Sequence, residues 1–296
     1  MSDISKLSGC GTALVTPFND DFSIDEAALR KFVEFQISEG IDFLVPCGTT
    51  GESPTLSDAE QRRVVEIVVE VTNRRVPVIA GAGGNNTAHV IKLARECERL
   101  GADGLLSVTP YYNKPTQEGL FQHFKAIAEA TTLPIILYNV PPRTNVNLLP
   151  DTVARLAEIP NVIGVKEASG DISQVAEIVN RVPASFRVLS GDDSMTLPLI
   201  AVGGVGLISV ASNESPARLA KLTAACLENR WDEARRLNRE LFPLMKLNFI
   251  ETSPAPVKAA LAMMGKIKEV SRLPIVPVKP ETRDKLRAAL RELKLI

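Results

Sequence analysis

Eight short apolar runs, each followed by a segment of helical periodicity, set the strongest limit on how this 296-residue chain can fold. They lie at about 11–15, 43–46, 77–80, 104–108, 135–138, 162–165, 187–190 and 206–210. Each is nearly continuous in apolar residues rather than alternating, the pattern of parallel strands covered on both faces. The segments between them carry helix signals. Ser57 with Glu60 three residues on is a capping box, and Val64, Ile67, Val68 and Val71 then recur on one face. Val90, Leu93, Ala94, Cys97 and Leu100 repeat that pattern, with Gly101 as a stop. Segments 116–130, 150–158, 171–181 and 215–228 are shorter or less regular versions. Eight strands alternating with helices predict an α/β chain closed into a (β/α)8 TIM barrel. The alternative, a doubly wound open sheet, would more naturally split its strands into two halves.

Beyond residue 230 the strand-type runs cease. Segments 231–250, 256–264 and 280–293 have helical patterns, punctuated by Pro254, Pro256, Pro274 and Pro277. The expected division is a catalytic barrel over 1–228 and a C-terminal helical extension over 229–296, packed on the barrel or on a neighbouring subunit. Net charge is −1 and no Lys/Arg run exceeds two residues, which argues against a nucleic-acid or membrane-surface partner. The four cysteines, Cys10, Cys47, Cys97 and Cys226, form no CxxC pair and read as reduced, buried thiols. Residues 1–9 lack the apolar stretch of a secretory leader, and no window reaches the length of a membrane span. The expectation is a soluble, cytoplasmic protein.

In such barrels functional groups follow the C-terminal ends of the strands. Strand two runs into GTTGE at 48–52, strand four into PYYNKP at 110–115, and strand seven into SGDD at 190–193. Strand five ends at Tyr138 and continues into NVPPRT, while strand six ends in Lys166. An amine at the end of a buried strand is the most informative of these. Apolar walls penalise its ammonium form; bringing a lysine from about 10.4 to near 7.5 needs about 4 kcal/mol, and the neutral amine is then a nucleophile. Tyr138, Tyr112, Thr49 and Thr50 suit proton transfer and carboxylate binding, and the chain's three tyrosines all fall in these two regions. Arg143, stiffened by two preceding prolines, offers a bidentate hold on a second carboxylate. The glycine-rich stretches 81–86 and 203–206 lack Walker or dinucleotide spacing and read as backbone turns. His89 and His123, the only two histidines, are separated and fall in helical segments, so a metal-dependent mechanism is not expected. Cys47 has no histidine placed to activate it and reads as packing.

Taken in order, GTTGES, TPYYNKPTQEGL, ILYNVPPRT, GVKEASGD and LSGDD closely resemble the dihydrodipicolinate synthase (4-hydroxy-tetrahydrodipicolinate synthase) family. The likeness runs from about Gly11 into the C-terminal helices. It implies that Lys166 forms a Schiff base with pyruvate, with Tyr138 as the acid/base beside it. It implies that Thr49 and Tyr112 complete a proton relay, Tyr112 reaching the site from a neighbouring subunit. Thr50, the backbone of Ile208, and Gly191 are then substrate positions, and Arg143 receives the carboxylate of L-aspartate 4-semialdehyde. No organic cofactor and no metal are implied, and the expected assembly is a homotetramer built as a dimer of dimers.

The resemblance also marks a lysine effector site. Ser53, Asn85 and Tyr111 match it, while Pro54, Asp58, Gln61 and His89 stand where the inhibited pattern has a small residue, two histidines and a glutamate. Weak or absent lysine inhibition follows, unless Asp58 supplies the missing carboxylate. The nearest alternative function is another pyruvate-dependent aldolase of the superfamily, acting on N-acetylneuraminate or a keto-deoxy sugar acid. Arg143 argues against it. A non-catalytic barrel serving as a scaffold is expected to have lost the lysine or the relay.

Overall fold

The computed structural model describes Ile4 and residues 7–296; those parts of the barrel span and of the leader reading that fall on residues 1–3, 5 and 6 lie outside the described residues. All eight expected strands form: β1 Gly9–Ala13, β2 Phe43–Val45, β3 Ile79–Gly81, β4 Gly104–Val108, β5 Ile135–Asn139, β6 Val162–Glu167, β7 Arg187–Ser190 and β8 Gly206–Ser209. They make one parallel sheet in the order β2-β1-β8-β7-β6-β5-β4-β3. The two ends meet through the parallel bridge Leu44↔Val78 and the bond from Leu44 N to Pro77 O, 2.9 Å, so the sheet closes as a (β/α)8 barrel.

Helices α1 Glu26–Ser38, α2 Asp58–Thr72, α3 Thr87–Arg99 and α4 Gln117–Ala128 follow the first four strands. After β5 come the short α5 Pro141–Thr144 and then α6 Pro150–Leu156; α7 Ile172–Arg181, α8 Thr196–Ala201 and α9 Pro216–Leu227 follow the last three strands. The capping box at Ser57 and Glu60 is present, and Gly101 ends α3 region with φ +86°. Beyond α9, α10 Trp231–Leu247 packs on α9, and α12 Pro280–Glu292 packs on α10 and on α11 Ala255–Met263. Among the described residues no helix is long and apolar enough to cross a membrane.

Two apolar layers result. The outer one lies between strands and helices, and includes Leu44, Leu105, Ile135, Leu137 and Val165. The inner one fills the barrel with Phe43, Val45, Ile79, Leu106, Ile136, Leu189, Ile208 and the ring of Tyr138. One local irregularity decides which side Lys166 faces. Ile135 pairs with Val162 but Ile136 pairs with Gly164, so β6 carries an extra residue at Ile163. Because strand side chains alternate, an extra residue shifts every later side chain to the opposite face. Val165 therefore packs outward, and Lys166 lies beside Tyr138 in register, on the inner face. Gly164 makes the bulge possible, since a Cβ there would sit 2.4 Å from the carbonyl oxygen of Arg187. Gly164→Ala is predicted to destabilise the barrel by about 1–3 kcal/mol through overpacking, read as a fall of several degrees in the thermal midpoint; an unchanged midpoint would mean that β6 tolerates a side chain at the bulge.

Candidate active site

The C-terminal ends of the strands open into a cavity of about 430 Å3. Thr49, Tyr138, Arg143 and Thr144 line it, as do Ser53, Pro54, Asp58, Gln61, Asn85, His89 and Tyr111. Most of the residues singled out from the sequence thus share one concavity. Lys166 stands one side chain behind this wall, 5% exposed, with its Nζ 4.3 Å from the centre of the Tyr138 ring. Thr50, in the turn after β2, and Ile208, on β8, are also buried and do not line the cavity. Tyr112 does not join the group. It is 89% exposed on the loop after β4, with φ +71°.

Burial is the largest influence on Lys166. It drives the amine down to about 7, helped by the positive charge of Arg143 and opposed by the carboxylate of Asp193. Relative to a free lysine the ammonium is disfavoured by about 5 kcal/mol. The same burial raises the phenol of Tyr138, against Arg143 and a hydrogen bond with Thr49. A protonated phenol thus lies against an amine that is about half neutral near pH 7, which pairs a proton donor with a group able to act as a nucleophile. Gly191 makes room for that amine's stem: a Cβ there would come within 3.0 Å of Cε and 3.1 Å of Cγ of Lys166.

The supports of these groups carry little local signal in the sequence. Asp193 is 1% exposed, accepts from the hydroxyl of Ser209, and takes the amides of Val210 and Ala211 at 3.1 and 3.2 Å. It thereby fixes the turn after β8. Glu167, whose carboxyl burial raises, accepts from Ser169 N at 2.6 Å and from Asn139 Nδ2 at 3.0 Å. Asn139 in turn donates to Asn147 Oδ1 at 2.8 Å and accepts from Leu148 N at 2.9 Å, anchoring the loop that carries Arg143. The SGDD and YNVPPRT motifs contain Asp193 and Asn139, but the partners of Asp193 come from the end of β8, and those of Asn139 from β6 and from residues 147–148 beyond the motif. Cys47, also in the cavity wall, is buried and its thiol is raised by that burial, so it is no nucleophile. Among the described residues no three His, Cys, Asp or Glu side chains cluster as a metal site.

At the outer end of the cavity, Asp58 accepts from Lys92 Nζ at 3.0 Å and lies 3.5 Å from His89 Nε2. Its carboxylate is already engaged. Asn85 donates to Tyr111 O at 3.2 Å, and Gln61 donates to Ser53 O at 3.0 Å.

The fold and this site define a (β/α)8-barrel enzyme in which a buried amine near a strand end lies beside a tyrosine. The model of the dihydrodipicolinate synthetase family matches residues 6–293. A protein of Koribacter versatilis (strain Ellin345) named 4-hydroxy-tetrahydrodipicolinate synthase is 57% identical over 282 residues, 95% of this chain and 94% of its own. The structure of the 4-hydroxy-tetrahydrodipicolinate synthase of Methylacidiphilum fumariolicum SolV superposes with a TM-score of 0.96 at 47% identity, covering 97% of this chain and 96% of its own. That of the chloride-inhibited dihydrodipicolinate synthase of Acinetobacter baumannii, complexed with pyruvate, gives 0.96 at 44% identity, covering 98% and 99%. The chain belongs to the dihydrodipicolinate synthetase family, and it is a lyase.

Gly191→Ala crowds the lysine stem and the methyl of Ala168, which would lie 2.7 Å from the new Cβ. It is predicted to lower turnover at least tenfold, about 1.4 kcal/mol, while the protein stays folded by circular dichroism. Normal turnover would show that the stem has room to give way.

Proposed function

We propose that this enzyme condenses pyruvate with L-aspartate 4-semialdehyde to 4-hydroxy-tetrahydrodipicolinate, the committed step towards diaminopimelate and lysine, through a Schiff base on Lys166. The observation that carries the reading is the buried amine held at about 7 against the protonated phenol of Tyr138. Lys166 Nζ adds to the ketone carbon of pyruvate, and loss of water gives an iminium. The iminium draws electrons from the methyl carbon, which gives up a proton to form an enamine. The enamine carbon attacks the aldehyde, and the new alkoxide takes a proton. The semialdehyde's own amine then adds to the iminium carbon and displaces Lys166, closing the ring and restoring the free amine. The enzyme's amine supplies the electron sink, so the scheme calls on no cofactor and no metal.

Tyr138, with Thr49 on its hydroxyl, moves protons at the lysine. Thr50, Gly191 and the backbone of Ile208 border the pyruvate position, and Arg143 at the exposed rim takes the semialdehyde carboxylate. The exposure of Tyr112, which is not among the residues lining its own chain's cavity, supports its serving a neighbouring subunit within a homotetramer. Four buried free cysteines accord with a reducing cytoplasmic setting. Lysine inhibition is weak in this reading. His89 occupies the glutamate position, and Asp58, already bound to Lys92, is a poor replacement for it.

Borohydride with pyruvate should inactivate the enzyme and add the reduced pyruvyl mass to the peptide containing Lys166. Labelling elsewhere, or none, would overturn the Schiff-base assignment. A coupled assay should give turnover with the semialdehyde and none with N-acetylneuraminate or keto-deoxygluconate. Arg143→Ala should still trap pyruvate yet raise the semialdehyde KM at least tenfold. Lysine should half-inhibit only above about 1 mM, the limit set by about 4 kcal/mol of binding; half-inhibition well below that would show that the altered contacts still bind it.

A further inference from the structure

The turn that carries Thr49 and Thr50 is held from behind by the C-terminal helices. Glu52, its last residue, sits in the left-handed region at φ +55°, which is disfavoured for a residue with a side chain. Its amide donates to Thr49 O at 3.1 Å. Its carboxylate turns away from the cavity and uses both oxygens: one accepts from Lys258 Nζ on α11, the other from Arg272 N at 3.0 Å. The Glu52 and Lys258 side chains are each only 1% exposed.

Each member of this cluster has further anchors. Lys258 also donates to Val270 O at 2.7 Å, and its Nζ stacks 4.2 Å from the centre of the Phe18 ring. The Arg272 guanidinium covers the same ring at 4.5 Å, donates to Thr55 O at 2.8 Å, and pairs with Glu60 of the α2 capping box. On the other side, Thr16 donates to Gly51 O at 2.7 Å. Residues 49–55 are thus clamped between the loop after β1 and the chain near 258–272, while Thr49 bonds to the hydroxyl of Tyr138.

A buried ion pair is a poor way to gain stability, since apolar residues of similar volume commonly do as well or better. What it provides here is direction. It fixes a strained residue three positions from Thr49, using groups that reach neither substrate nor the reacting atoms. We propose that Glu52, Lys258 and Arg272 are positioning residues that set the Thr49–Thr50 turn against Tyr138, which makes the C-terminal extension part of the catalytic apparatus. The proposal rests on the pyruvate reaction described above. It assigns the clamp to the pyruvate half of the site and not to the Arg143 loop, which Asn139 and Glu167 anchor separately.

The test is the double variant Glu52→Gln/Lys258→Met, which removes both charges and leaves none buried and unpaired. Arg272→Ala, which loses the guanidinium contacts but keeps the backbone bond to Glu52, is the second variant should the first not fold. In the double variant kcat should fall tenfold or more and the pyruvate KM should rise several-fold, with the semialdehyde KM within twofold of wild type. Hydrogen–deuterium exchange should quicken over residues 48–55 and stay unchanged over 141–147. Arg272→Ala should show the same pattern with a smaller loss. Wild-type kinetics and exchange in folded variants would overturn the proposal. So would an equal rise in both KM values with faster exchange throughout the chain, the mark of a merely structural staple. Failure of the wild-type enzyme to condense the two substrates would instead defeat the assigned reaction, and exchange at 48–55 would still decide whether the clamp holds the turn.

Discussion

The withdrawal of one amine from water governs this structure. Lys166 lies one residue from the end of β6 inside a closed apolar barrel, and desolvation outweighs the single opposing carboxylate, that of Asp193. Little else is needed to make the amine nucleophilic, because its charged form is simply too poorly solvated. The barrel supplies the conditions. Closure puts Leu189, Ile208 and the ring of Tyr138 around the lysine's face of the sheet, and the bulge at Ile163 turns Lys166 onto that face.

The polar groups that flank the amine are each fixed by several buried bonds, and the fixing elements differ. Asp193 is held by the end of β8, the Arg143 loop by Asn139 and Glu167, and the threonine turn by the C-terminal helices. Buried polar groups must be paired to be tolerated, and here the pairing also sets geometry. The division suits the two-stage reaction proposed above, in which the threonine turn is assigned to the first substrate and the loop with Arg143 to the second.

Much of this was legible in the sequence, for identifiable reasons. Strands covered on both faces leave unbroken apolar runs, so β4 and β7 were delimited to the residue. Strand-end motifs located Thr49, Tyr138 and Arg143 on one cavity because the C-terminal strand ends of a closed barrel converge there. Helix α1 carried no range of its own: its buried face of Leu29, Phe32 and Val33 ends in the polar Gln36, which accepts from Thr12 Oγ1 at 2.7 Å. At six residues, α8 is too short for a period to show. The bulge in β6 was not visible because Ile163 and Gly164 fit a strand pattern, and only pairing with β5 shows that one residue is extra. The Glu52–Lys258 pair joins positions 206 residues apart. Its one sequence signal was a lone charge in the otherwise apolar α11.

The central claim, that burial more than any neighbouring charge frees the Lys166 amine near neutrality, is tested most directly by the pH dependence of its reaction with pyruvate. The rate constant for trapping by cyanoborohydride at Lys166 would be followed from about pH 5.5 to 10, a range that spans both the perturbed and the ordinary lysine. A lowered pKa leaves the neutral amine dominant above it. The rate, corrected for the reductant's own pH dependence, should therefore climb through a midpoint near 7 and level off. A rate still climbing as the pH approached about 10, the ordinary lysine value, would contradict the account.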